Sequence, residues 1–145
     1  MDYRGMTQTE YTKQQIHETV VSVVARSLAC EPDEITAGVS LVDELGMDSL
    51  DFLDVIFTLE KNFKVKLLGN EINKLLRPDR SQANEQLDSH LSLEEMNNLA
   101  PFITALQPII ANNGKIVRAD LFKLVTTETL VALVSNEIEN KTSLG

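Results

Sequence analysis

From Asp48 to Phe63, Leu50, Leu53 and Phe57, together with Phe52, Ile56, Leu59 and Phe63, recur at spacings of three and four. That period is helical. It leaves Asp51, Asp54 and Thr58 on the opposite face. Asp48 has the short acceptor side chain of an N-cap, and Lys61, Lys64 and Lys66 gather where the helix dipole favours cations. An amphipathic helix of this kind requires other apolar faces to cover it.

The rest of the chain supplies them. Thr12-Lys13-Gln14-Gln15 has the spacing of a capping box, and Ile16, Val20, Val23, Val24 and Leu28 then fall on one helical stripe. Pro32, which lacks an N–H, should end that helix. A loop to Met47 follows, anchored by Ile35, Val39, Leu41 and Leu45 and broken by Gly38 and Gly46. Residues 68–116 read differently, with breaks at Gly69-Asn70, Pro78, Pro101 and Pro108. Between the breaks, helices are expected at about 71–77, 83–91, 93–100 and 102–110. Ser92-Leu93-Glu94-Glu95 is a second capping box. Phe102, Ile103, Leu106, Ile109 and Ile110 form an apolar block that needs burial. After the turn signal Asn112-Asn113-Gly114, Arg118 to Leu124 suggests a short helix. A last helix, starting at Thr127 or Thr129, carries Leu130, Leu133, Val134 and Ile138. Strand signals are weak throughout, so the expected fold class is all-α.

Composition narrows the function. The 145 residues suit one domain, 1–145. The single cysteine, Cys30, excludes an intramolecular disulfide and fits a reducing, cytoplasmic setting. No stretch approaches the ~20 apolar residues of a membrane span. The net charge of −9 is concentrated: residues 31–60 contain nine acids and no Lys or Arg, while the remainder balances at 13 of each sign. Such a field disfavours nucleic acid and anionic membranes and attracts basic protein surfaces.

The segment Leu41-Val-Asp-Glu-Leu-Gly-Met-Asp-Ser-Leu-Asp51 resembles the attachment site of the acyl carrier protein family, in which an acidic-Leu-Gly turn leads to Asp-Ser-Leu at the head of a helix. LACEPDEI, FTLEKNFKV and LFKLVTTETLVALV resemble the family's helix-one exit, the end of its second helix and its last two helices. The resemblance covers about residues 12–67 and 118–138. It implies a four-helix bundle, here with an additional helical insert at about 68–116 in place of a short connection. It also implies that Ser49, flanked by Asp48 and Leu50, receives covalent 4′-phosphopantetheine from a phosphopantetheinyl transferase.

A hydroxyl in the first helical turn is expected to be exposed, with its phosphodiester near unpaired N–H groups and the positive helix end. Gly46 lets the preceding loop turn sharply. Asp48 and Asp51 oppose a phosphate electrostatically, which points to partner recognition as their role. Asp43, Glu44, Asp48, Asp51 and Asp54 would then receive basic docking patches on acyl-processing enzymes, an arrangement that favours fast encounter over affinity. Leu53, Ile56, Phe57 and Leu59 are candidates to line an acyl pocket.

The chain itself is not expected to be catalytic, since no nucleophile, base and orienting group come together, and His17 and His90 are not placed as bases. No metal site is expected either. An EF-hand loop begun at Asp43 needs Gly at its sixth place and Glu at its twelfth, where this chain has Asp48 and Asp54. Asp88-Ser89-His90-Leu91 echoes the attachment motif without the Leu-Gly turn, so Ser89 is expected to stay unmodified. The expected product is a monomeric carrier for fatty-acid, lipid or polyketide-type synthesis. The alternatives are an aminoacyl or peptidyl carrier, or a structural subunit using the carrier fold to hold a partner.

Overall fold

A computed structural model describes residues 11–36, 38–67 and 90–144. Among them lie five α-helices: α1 (Lys13–Leu28), α2 (Ser49–Phe63), α3 (Leu93–Leu99), α4 (Leu106–Ala111) and α5 (Thr127–Leu144). Short 3-10 turns run over Pro32–Glu34 and Arg118–Leu124. The described residues contain no strand, only an isolated antiparallel bridge between His90 and Val117. The all-α expectation holds. No helix among the described residues is long and apolar enough to cross a membrane.

The helix starts follow from local side-chain chemistry. Thr12 Oγ1 accepts the Gln15 amide at 3.0 Å, and Gln15 Oε1 accepts the Thr12 amide at 2.9 Å. Ser92 and Glu95 repeat the arrangement at α3. Thr126 and Thr129 bond reciprocally at the start of α5. Each box satisfies amides that the first helical turn otherwise leaves without a partner.

Two helix limits differ from the sequence expectation. α1 stops before Pro32 is reached, because Ala29 adopts the left-handed conformation at φ 56° and Cys30 N–H turns back to Ala25 O at 3.0 Å. Pro32 instead opens the 3-10 turn. The helix expected over 102–110 is only α4, from Leu106 onward, preceded by turns. Pro108 accounts for this. In the first turn of α4 its missing N–H has no intrahelical acceptor to lose, whereas in a longer helix its ring would meet the carbonyl of Thr104. The expected helices at 71–77 and, but for its last two residues, 83–91 lie outside the described residues.

An L-residue at left-handed φ carries a penalty of about 1–2 kcal/mol that glycine avoids. Ala29→Gly should therefore stabilise the protein by about 1 kcal/mol, read as a higher urea midpoint at unchanged slope. An unchanged or lower midpoint would refute this account of the helix end.

α1 packs most extensively against α5 and next against α2. Ile16, Val20 and Val24 of α1 meet Phe52, Val55, Ile56, Leu59 and Phe63 of α2, and Leu130, Leu133 and Val134 of α5, in one buried cluster. Met96, Leu99, Ile103, Leu106 and Ile116 belong to the same cluster, so the described part of the 68–116 stretch shares the bundle's core. Its chain ends meet as well: Leu91 N–H donates to Ile116 O at 3.0 Å, beside the His90–Val117 bridge.

Candidate functional site

Ser49 is the first residue of α2. Two devices fix its position, one on each side of the peptide that carries it. On the helix side, Asp48 is the N-cap: its carboxylate accepts the Asp51 amide at 2.8 Å, and the Asp51 carboxylate accepts the Asp48 amide at 3.2 Å. Asp48 is thus the N-cap that its side chain suggested, and Asp51 has a reciprocal structural task that the sequence did not reveal, since capping boxes are usually recognised by Glu or Gln at the fourth place. Their charge also opposes the positive helix end favourably.

On the loop side, residues 40–47 form a tethered turn. Ser40 Oγ donates to Lys123 O at 2.8 Å and accepts the Asp43 amide at 3.0 Å. Leu41 N–H donates to Val125 O at 3.1 Å, and Met47 N–H returns to Leu41 O at 2.9 Å. Leu41 and Met47 are buried. The loop that presents Ser49 is thus pinned to the chain just ahead of α5, a contact across 83 positions that no local pattern announces.

Gly46 makes the last bend, at φ 79°. A Cβ placed there would meet nothing within 4 Å, so the requirement is conformational and the space beside it is open. A β-branched residue is an outlier at such φ. Gly46→Val should cost about 2 kcal/mol, measurable by urea unfolding, while Gly46→Asn should cost less. Equal stability of the valine variant would contradict the assigned strain.

The remaining candidate residues divide clearly. Asp43, Glu44, Asp48 and Asp54 are exposed and Asp51 is half-buried. Asp54 accepts the Ser27 hydroxyl of α1 at 3.2 Å. Among the pocket candidates, Ile56 and Leu59 are fully buried, Leu53 is half-buried, and Phe57 keeps 50% of its surface exposed. Leu50, beside Ser49, is 75% exposed, more than a leucine needs to be if packing alone placed it. His17 and His90 are exposed, and Ser89 lies outside the described residues. Cys30 is half-buried; burial, and then Glu34 and Glu31, raise its thiol pKa, which keeps it protonated and poorly nucleophilic at neutral pH. Among the described residues, no three His, Cys, Asp or Glu side chains converge as a metal site.

The comparisons with known proteins bear on this helix head. The family model described as "Phosphopantetheine attachment site" matches residues 18–72. The chain is 32% identical over 60 residues to an acyl carrier protein of Bdellovibrio bacteriovorus, covering 41% of this chain and 77% of that protein. It is 35% identical over 60 residues to an acyl carrier protein of Akkermansia muciniphila, covering 41% of this chain and 75% of that protein. The chain belongs to the acyl carrier protein family. No solved structure matches it significantly.

As an acyl carrier protein it carries a covalently attached 4′-phosphopantetheine arm. Homologous acyl carrier proteins are generally non-catalytic, and a carrier domain implies a phosphopantetheinyl transferase and acyl-processing enzymes as partners. The helix head suits a phosphodiester: Asp48 occupies the Asp51 amide, and the amides of Ser49 and Leu50 head the helix with no intrahelical acceptor.

Proposed function

We propose that Ser49 bears the arm and that the protein shuttles acyl intermediates as thioesters in fatty-acid, lipid or polyketide-type biosynthesis. The observation that carries this reading is the position of Ser49 as the opening residue of α2, between the Asp48 cap and the Gly46 bend on one side and the exposed Leu50 on the other. The arm supplies the thiol that holds the acyl group; the chain's residues position and present it. Asp48 and Asp51 hold the helix head rigid. The Ser40–Lys123 and Leu41–Val125 bonds hold the approach loop.

Asp43, Glu44, Asp48, Asp51 and Asp54 form the field that draws basic patches of the transferase and of acyl-processing enzymes. Ile56 and Leu59, with Leu53 at the margin, are the side chains of α2 best placed to meet an acyl chain entering the bundle. Each methylene sheltered there contributes about 0.8 kcal/mol. Residues 68–116 are an addition to the carrier bundle within one domain, 1–145, and the protein works as a cytoplasmic monomer.

Incubation with coenzyme A and a phosphopantetheinyl transferase tests the assignment. Intact mass should rise by one arm, and fragmentation should place it on the peptide containing Ser49. An arm found on another residue, Ser89 included, or no gain at all, would reject it. In the latter case the scaffold reading takes over.

A further inference from the structure

We propose that the groove between α1, α5 and the Pro101-Phe102 corner docks a basic amphipathic helix of a partner protein, which holds the carrier while α2 and Ser49 stay free. The holding role rests on the carrier reading; the groove itself does not.

The groove has a volume of about 630 Å³. α5 supplies one wall through Val131, Ala132, Ser135 and Asn136, which follow at helical spacing between Glu128 and Glu139. α1 supplies the second through Lys13, Gln14 and His17. Pro101 and Phe102 supply the third. They belong to residues 68–116, the stretch by which this chain departs from the carrier pattern, and the family model ends before them at residue 72. A bundle with a short connection in place of that stretch would have no third wall.

That third wall is unlike the rest of the chain. The net charge is −9, yet residues 96–114 contain no Asp, Glu, Lys, Arg or His. Depletion of charge around an aromatic side chain is the composition of an interface core. Ile103 and Leu106 are buried, whereas Pro101 is exposed and Phe102 only half-buried. Across the groove, Ala132 and Ser135 are small, which lets a second helix axis come close. Ser135 Oγ is also buried without a hydrogen bond among the described residues, a state that few buried hydroxyls show.

Length and charge choose the occupant. Glu128 and Glu139 are eleven residues apart, about 16 Å or three turns along the axis. A helix laid lengthwise fits that span better than a compact ligand does. Both glutamates are exposed, and Lys13 is the one lysine or arginine of the lining. An occupant with a cation towards each end of an apolar stripe gains at both glutamates, whereas an acidic one gains only at Lys13. A second copy of this chain would bring another net charge of −9.

No lining residue belongs to α2 or to the loop of residues 40–47. An occupied groove therefore leaves the Ser49 end open to the transferase.

The probe is a fluorescent synthetic helix of about five turns, with leucines along one face and an arginine towards each end of that face. Its binding to the full chain is followed by anisotropy, circular dichroism confirming that each variant is folded. Glu128→Gln/Glu139→Gln should weaken binding about tenfold, and a probe with glutamates in place of arginines should bind wild type no better. Ala132→Arg, which fills the middle of the groove, should abolish binding. Arm loading of wild type should keep its kcat/KM at saturating probe. No binding to wild type, or binding that survives in both variants as net charge alone would allow, overturns the proposal. A dimer of the free chain that Ala132→Arg dissolves assigns the groove to a second copy and overturns it as well. Loading slowed by the probe refutes the holding role. A chain that binds the probe but accepts no arm rejects the carrier reading and the holding role with it, and leaves the groove assigned.

Discussion

Ser49→Ala should abolish arm loading completely while leaving the unfolding midpoint nearly unchanged. The two halves of that expectation have separate physical grounds. Loading needs a nucleophilic oxygen at this position, and alanine supplies none, so the intact mass should not move however long the transferase acts. Stability has a different owner. The residue that satisfies the head of α2 is Asp48, through the Asp51 amide, and alanine is the best helix former. The change should therefore stay within about 0.5 kcal/mol, the range of ordinary surface substitutions. Loss of loading accompanied by a large fall in the urea midpoint would show that Ser49 acts through the fold, and arm loading retained in the variant would move the tether elsewhere.

Phe52→Ala should do the opposite, destabilising the protein by about 4 kcal/mol. Phe52 is fully buried, and its ring meets Phe122 edge-on at a centroid distance of 5.3 Å. The loss combines the transferred apolar surface, the cavity left behind and an aromatic pair that adds about 1 kcal/mol. Against a typical total of roughly 5–15 kcal/mol, such a variant should unfold at far lower urea. Phe57→Ala, five positions along the same helix, is the internal control. Its half-exposed ring leaves much less to lose, and a fall below about 1.5 kcal/mol is expected. Equal losses at the two positions would mean that the assigned inner and outer faces of α2 are wrong.

That contrast also marks what the sequence could convey. The helix starts at Thr12, Asp48 and Ser92 were legible because a cap is a conversation between a side chain and amides three residues away, all within one window. The attachment motif was legible for the same reason. The orientation of α2 was only half legible. Leu50, Leu53 and Phe57 define one stripe and Phe52, Ile56, Leu59 and Phe63 another, and periodicity cannot say which one meets the core. The bundle buries the second, together with Val55, and turns Leu50 and Phe57 outward.

The end of α1 was missed because Ala29 takes a left-handed conformation that an alanine does not favour; Leu28 and Cys30, both packed against the core, hold the chain there. The tether from Ser40 to Lys123 was invisible since it joins segments that only the folded chain brings together. Pro108 was read as a break, whereas its place in the opening turn of α4 makes it compatible with that helix.

The meeting of His90 with Val117 makes one part of this chain open to remodelling. Residues 91–116, which begin and end at these adjacent points, behave as a cassette. It can be lengthened, trimmed or traded for another, and the severed ends already stand side by side for a short turn to join them. What the host would then require is a new apolar lid, because Leu91, Met96, Leu99, Ile103 and Leu106 all belong to the shared interior. Exchange is topologically easy and chemically demanding, and that combination favours swapping one folded piece for another over simple deletion.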